Sequence, residues 1–131
     1  MLQSIRVKSD HRGTLIVFEN KENLDFIPVR SYVLMNNQNN EKRGFHAHKK
    51  LNQLIVCLAG TCTIKTIDKN LEENNYSLNS LEKGLIIEPY TWREITSMSK
   101  SCILLVNCDR AYETDDYIHD LKKFKEICQT L

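Results

Sequence analysis

The sequence predicts an all-β sandwich or barrel followed by one carboxy-terminal α-helix, and three observations carry that prediction. Short apolar or alternating runs recur from Thr14 to Cys108, polar breaks separate them, and only after Tyr112 does the apolar spacing lengthen to three or four residues. Side chains return to one face every two residues in a strand and every 3.6 in a helix, so the change of period marks a change of structure.

The runs are, in chain order, LIVFE from Leu15, RSYVLM from Arg30, FHAH from Phe45, QLIVCLAGTCTIKTI from Gln53, GLIIEP from Gly84, TWREIT from Thr91 and SCILLVNC from Ser101. Their length and their β-branched and aromatic content suit strands. Gly60 divides the longest run and marks a bend. Breaks fall at Asn36 to Lys42, Lys69 to Asn75 and Asn79 to Gly84; the first contains NNQNN, Asn36 to Asn40, which reads as a loop. Beyond Tyr112, Ile118, Leu121, Phe124, Ile127 and Leu131 make one helical stripe, with Lys122, Lys123, Lys125 and Glu126 between them. Thr114, Asp115 and Asp116 are the expected N-cap and first-turn acids, and His119 is expected on that helix as a bland residue.

A chain of 131 residues without repeats or linkers predicts a single domain over residues 1–131. Eighteen basic residues against seventeen acidic provide no overall field for nucleic acid or an anionic membrane, so any phosphate must be held locally. MLQSIRVKSD has no apolar run resembling a leader, and no stretch approaches the roughly 20 apolar residues of a membrane span. A cytoplasmic protein is expected. Cys57, Cys62, Cys102, Cys108 and Cys128 are odd in number, lack CxxC spacing and read as reduced core residues.

The chemistry concentrates in Arg43-Gly44-Phe45-His46-Ala47-His48. On a strand His46 and His48 share a face, with Cβ atoms roughly 6–7 Å apart, and so present two proton carriers together. The spacing His46, His48, Gln53, Gly60 follows the first metal-binding motif of the cupins, jelly-roll-like β-barrels. Gln53 stands where that motif has Glu, and the place of its last histidine, after Gly84 and Pro89, falls at Trp92 to Glu94. A neutral amide is a poor ligand for a divalent transition metal, so no metal and no other cofactor is expected, and the histidines are left for acid and base work.

The runs HRGTL from His11, PVRSY from Pro28, RGFHAHKKLNQLIVCLAGTC, GLIIEPYTWREI and YETDDYIHDLKKF cover nearly the whole chain in order. In these the sequence resembles the dTDP-4-keto-6-deoxyglucose 3,4-ketoisomerases, cupins of bacterial surface-polysaccharide (O-antigen or S-layer glycan) sugar biosynthesis. Val33, and Asp68-Lys69-Asn70 in place of a DDG-like turn, depart from the pattern without touching the histidines. The resemblance implies a homodimer that takes a dTDP-linked keto sugar and moves its carbonyl from carbon 4 to carbon 3 through an enediol.

That reaction suits histidine, whose ordinary pKa of about 6.5 lets it accept and return protons near neutrality. His46 and His48 are the expected catalytic pair, with Tyr32 either donating to the sugar oxygens or serving as a core tyrosine. Arg12, Arg30, Arg43 and Arg93 are candidates for the diphosphate, since guanidinium forks match phosphate oxygens. Gln53 either orients substrate or ends a strand. Trp92 either stacks on thymine or belongs to the core, and His11, before the Arg-Gly turn, bears on sugar selectivity or on nothing. Three other functions compete. An epimerase would need acid and base on opposite faces of the ring, a metal-dependent oxygenase would need the missing ligands, and a non-catalytic sugar-nucleotide binder would share most of the pocket.

Overall fold

The computed structural model describes residues 1–35 and 42–131, so the expected loop at Asn36–Asn40 lies outside the described residues. Its strands are β1 (Leu2–Ser4), β2 (Arg6–Asp10), β3 (Gly13–Val17), β4 (Arg30–Met35), β5 (Arg43–His48) and β6 (Gln53–Ala59). They continue with β7 (Cys62–Ile67), β8 (Glu73–Leu78), β9 (Lys83–Ile87), β10 (Trp92–Met98), β11 (Ile103–Cys108) and β12 (Tyr117–Ile118). One helix, α1 (Leu121–Cys128), follows. The expected fold class, an all-β cupin jelly roll with one carboxy-terminal helix, is what forms.

Two antiparallel five-stranded sheets face each other, ordered β1-β9-β6-β11-β4 and β12-β5-β10-β7-β8, while β2 and β3 make a separate hairpin. Ile55, Leu85, Ile87, Leu104 and Val106 of the first sheet meet Ile64, Leu78, Ile95 and Met98 of the second between them. Burying each such side chain contributes about 1.5–3 kcal/mol, which is what holds the sheets together. Gly60 forms the predicted bend between β6 and β7 with φ +68°, and a Cβ there would meet the Cys102 backbone at 2.7 Å. All five cysteines are buried and free.

The second sheet has an outer layer as well. Ala47, Ile67 and Trp92 pack with Phe124 and Cys128 of α1. Because the strand period is two, Ala47 facing the helix turns His46 and His48 inward, and Trp92 facing the helix turns Arg93 inward. Arg93 is the cross-strand partner of His46. On the first sheet Arg30, Cys108 and Gln53 form one rung, so the chain's polar side chains collect at one end of an otherwise apolar interior.

Three expectations need correction. Strands β1, β2 and β8 were not foreseen, since LQS, RVKSD and ENNYSL are mostly exposed and polar. They form because the ladders to β9, β3 and β7 use their backbones rather than their side chains. The helix does not start at Thr114–Asp116, which is a 3-10 turn. It starts after Asp120, whose side chain accepts from the Lys123 amide at 3.1 Å, and Ile118 of the predicted stripe pairs with Ala47 as strand β12. His119 therefore precedes the helix instead of riding on it. Among the described residues no helix is long and apolar enough to cross a membrane.

Candidate active site

Strand β5 carries the histidines through an irregular entry. Gly44 has φ +93° and Phe45 φ +57°, opposite a register shift in β10 between Arg93 and Glu94. A Cβ on Gly44 would lie 2.8 Å from the Arg93 carbonyl oxygen, so only glycine lets the two strands approach here. The bulge also brings the Gly44 carbonyl to 3.0 Å from His46 Nδ1. A carbonyl only accepts, so Nδ1 carries the hydrogen and Nε2 keeps its lone pair, the arrangement of a base.

His48 lies deeper, 1% exposed, its ring 4.9 Å from His46 in a T-shaped contact. Asp116 Oδ2 stands 3.3 Å from His48 Nδ1, an ion-pair distance outside good hydrogen-bond geometry. The same carboxylate accepts from the amides of Lys50 at 2.8 Å and Leu51 at 3.3 Å, which ties the 3-10 turn to the end of β5. Tyr117 packs on both imidazoles, at 5.1 Å from His46 and 4.2 Å from His48, and stacks on His119.

Between the sheets is a cavity of about 210 Å³ lined by Tyr32, Leu34, Arg43, His46, Ile55 and Arg93 among others. Gln53 bridges two of its polar members: Nε2 donates to the Tyr32 hydroxyl at 3.1 Å, and Oε1 accepts from Arg93 Nη1. Since the Tyr32 oxygen receives a hydrogen bond, its own hydrogen is free for a ligand. Burial pushes the Tyr32 phenol up, so it stays protonated. Burial, then the Arg93 charge, holds His46 down at about 4 and His48 at about 2. Both rings are neutral at pH 7. Arg93 is itself lowered by burial, to about 10, and remains a cation.

The structure brings together most of the predicted residues. His46, Tyr32, Arg43 and Arg93 line the cavity; His48 and Gln53 are packed directly behind it. Arg30 sits over the Tyr32 ring at 5.1 Å and near Tyr112 at 5.6 Å. Two residues are elsewhere. Trp92 is 2% exposed on the helix side, against Phe124 and with Nε1 donating to Glu94, so it takes the core reading rather than the thymine-stacking one. Arg12 is on the β2–β3 hairpin, its side chain 79% exposed and paired with Asp10, away from this cavity. Asp116, Tyr117 and His119 were missed as site residues. The signal available was the acid cluster itself, which reads equally well as a helix start.

A family model described as FdtA, WxcM-like, C-terminal, matches residues 1–129. This chain belongs to the FdtA family. A relative, the TDP-4-oxo-6-deoxy-α-D-glucose-3,4-oxoisomerase of Aneurinibacillus thermoaerophilus, is 37% identical over 117 residues, covering 89% of this chain and 84% of that protein. Among solved structures, the sugar 3,4-ketoisomerase QdtA of Thermoanaerobacterium thermosaccharolyticum, in complex with TDP, is 31% identical with a TM-score of 0.92, covering 99% of this chain and 94% of that one. The TDP-fucose-3,4-ketoisomerase WlaRA of Campylobacter jejuni is 27% identical, also at 0.92, over 100% and 96%. The family implied by RGFHAHKK and its neighbouring runs is the family shown.

The cupin metal does not fit this member of the FdtA family. Gln53 is engaged by Arg93 and Tyr32, and the guanidinium of Arg93 lies across from His46, where a second cation would be repelled. Among the described residues no three His, Cys, Asp or Glu side chains are grouped to hold an ion. Turnover is expected to survive exhaustive chelation unchanged; loss of activity that a divalent ion restores would contradict this.

Proposed function

We propose that this chain is a sugar-nucleotide 3,4-ketoisomerase, converting a dTDP-linked 4-keto-6-deoxyhexose to the 3-keto isomer by proton transfer without a metal. The observation that carries it is the pair of neutral imidazoles on one strand, at a cavity whose metal-ligand position is a glutamine. The family's named relatives supply the substrate class.

The isomerisation moves two hydrogens, one from carbon 3 to carbon 4 and one from oxygen 3 to oxygen 4. His46 Nε2 takes the carbon-3 proton; the C–H electrons form the carbon 3–carbon 4 double bond, and oxygen 4 becomes anionic. Tyr32 and His48 then relay the hydrogen of oxygen 3 to the anionic oxygen 4, and the His46 imidazolium returns its proton to carbon 4, which leaves the carbonyl at carbon 3. Oxidation state is conserved, so no redox partner enters. Positioned acid and base groups contribute about 10²–10⁴-fold each. Two imidazoles on one strand face favour transfer between adjacent carbons on one side of the ring, which separates this reading from an epimerase. We assign Arg30, at the polar end of the interior, and Arg43, exposed at the start of β5 on the rim of the cavity, to the diphosphate.

The test is to incubate the protein with dTDP-4-keto-6-deoxyglucose and follow the carbonyl by ¹³C NMR. A carbonyl signal moving from carbon 4 to carbon 3 supports the assignment. Substrate returned unchanged, or inverted at a ring carbon with its carbonyl still at carbon 4, overturns it.

A homodimer is part of the same proposal. Val33 and Met35 on the outer side of edge strand β4, with Ile27 and Val29 before it and Phe45 on β5, are exposed apolar residues. Edge strands with such faces are commonly covered by symmetric pairing. Sedimentation is expected to give twice the chain mass at micromolar concentration, and a monomer there would refute the dimer. A cytoplasmic setting is consistent with five buried free thiols, and the product would serve surface-polysaccharide sugar synthesis.

A further inference from the structure

Among the described residues, Arg93 is a cation inside the barrel with no counter-charge. The residue is 4% exposed, and its Nε and Nη2 have no hydrogen-bond partner among the described residues. Its Nη1 donates to Gln53 Oε1, a neutral oxygen. The ion pairs among the described residues involve other side chains, so no carboxylate lies within 4.0 Å of the guanidinium. Burying a charge without a counter-charge is costly, and a fold that keeps one either gains nothing from it or uses it on an anion that arrives later.

The geometry says which anion. Arg93 lines the cavity with His46 and Tyr32, is the cross-strand partner of His46, and its charge acts on that imidazole, so cation and base share one cavity. We propose that Arg93 is a catalytic residue, its unpaired Nε and Nη2 receiving the substrate oxygen that becomes anionic when His46 removes the carbon-bound proton. Gln53 is the positioning residue: its amide fixes one arm of the fork without neutralising the charge, which a carboxylate at this position would do. This inference rests on the ketoisomerase reading and names the group that stabilises its intermediate. It replaces the expectation that Arg93 contacts the diphosphate. Preorganised donors aimed at charge that develops only during reaction raise kcat more than ground-state affinity.

The experiment measures kcat for dTDP-4-keto-6-deoxyglucose, Kd for TDP and a melting curve for wild type, Arg93→Met, Arg93→Lys and Gln53→Glu. Arg93→Met and Gln53→Glu are expected to lose about 10²-fold in kcat, the cost typical of removing one such donor. Their TDP affinity should stay within about threefold, and Arg93→Lys, which keeps the charge, should stay within about tenfold of wild type in kcat. The histidine resonances give a second readout: with the positive charge gone in Arg93→Met, both His46 and His48 should titrate higher than in wild type. Should Arg93→Met fail to fold, Gln53→Glu and Arg93→Lys decide by the same criteria. Turnover within threefold of wild type in Gln53→Glu, a Lys variant as impaired as Met or Glu, or lost TDP affinity matching lost activity would each overturn the role. A wild-type protein that leaves the keto sugar untouched would instead sink the ketoisomerase reading on which it rests.

Discussion

Replacing His46 or His48 by Asn is expected to lower kcat by about 10²-fold or more, roughly 2.7 kcal/mol of transition-state stabilisation, while leaving the protein folded. Asparagine keeps approximate volume and hydrogen-bonding capacity but neither takes up nor releases a proton near neutral pH. His46 lines the cavity and should show the larger loss; His48, behind it, should show a loss in the same direction. TDP affinity should remain within about an order of magnitude, or 1.4 kcal/mol, because arginines rather than imidazoles are assigned to the diphosphate. Variants turning over at wild-type rates would make the pair ordinary strand residues and end the proposed mechanism.

The same pair sets a pH dependence. With His46 held at about 4 and His48 at about 2, the free enzyme keeps both bases unprotonated well below the usual histidine range. kcat/KM should therefore show no acid limb near 6.5, and its decline should begin nearer pH 5. Stability has the opposite reference. Below pH 6.5 the unfolded chain binds protons at these two positions that the folded chain refuses, so stability falls as pH drops from about 6.5, toward 4 for His46 and on toward 2 for His48. An acid limb at 6.5 in kcat/KM would show that the free protein's imidazoles are solvated instead.

Asp116→Asn is expected to damage both catalysis and stability. The carboxylate accepts from two amides and faces His48 Nδ1, so it favours the tautomer with hydrogen on Nδ1 and the lone pair on Nε2. An amide presents its NH2 group to one of these donors. Two donors then face each other in a buried site, which costs about 1–3 kcal/mol and several degrees in Tm. kcat should fall by about tenfold or more while TDP affinity holds, and ¹⁵N shifts of His48 should report a changed tautomer. An Asn variant with an unaltered His48 spectrum and unaltered kcat would make Asp116 a purely structural tie between the 3-10 turn and β5.

By itself the sequence determined the features that depend on neighbours along the chain. The period of two through RSYVLM, FHAH and SCILLVNC specified strands with a buried face, and His-x-His on such a strand put both imidazoles on one side whatever the fold. Gly60 was legible as a bend because a glycine inside a β-branched run has little other use. The glutamine in place of a carboxylate was legible as a poor metal ligand because ligand type is a property of one residue. Tertiary structure decided everything that needs a second strand. Polar strands β1, β2 and β8 exist through ladders their side chains do not announce. Thr114–Asp116 carries every local sign of a helix start, yet the Lys50 and Leu51 amides claim Asp116, and β5 claims Ile118, before a helix can begin. Trp92 and Arg93 adjoin in sequence and face opposite layers, one against α1 and one into the barrel. Which of the two faces the cavity was set by Phe124 arriving on the other side, a contact between residues 32 positions apart that no local pattern encodes.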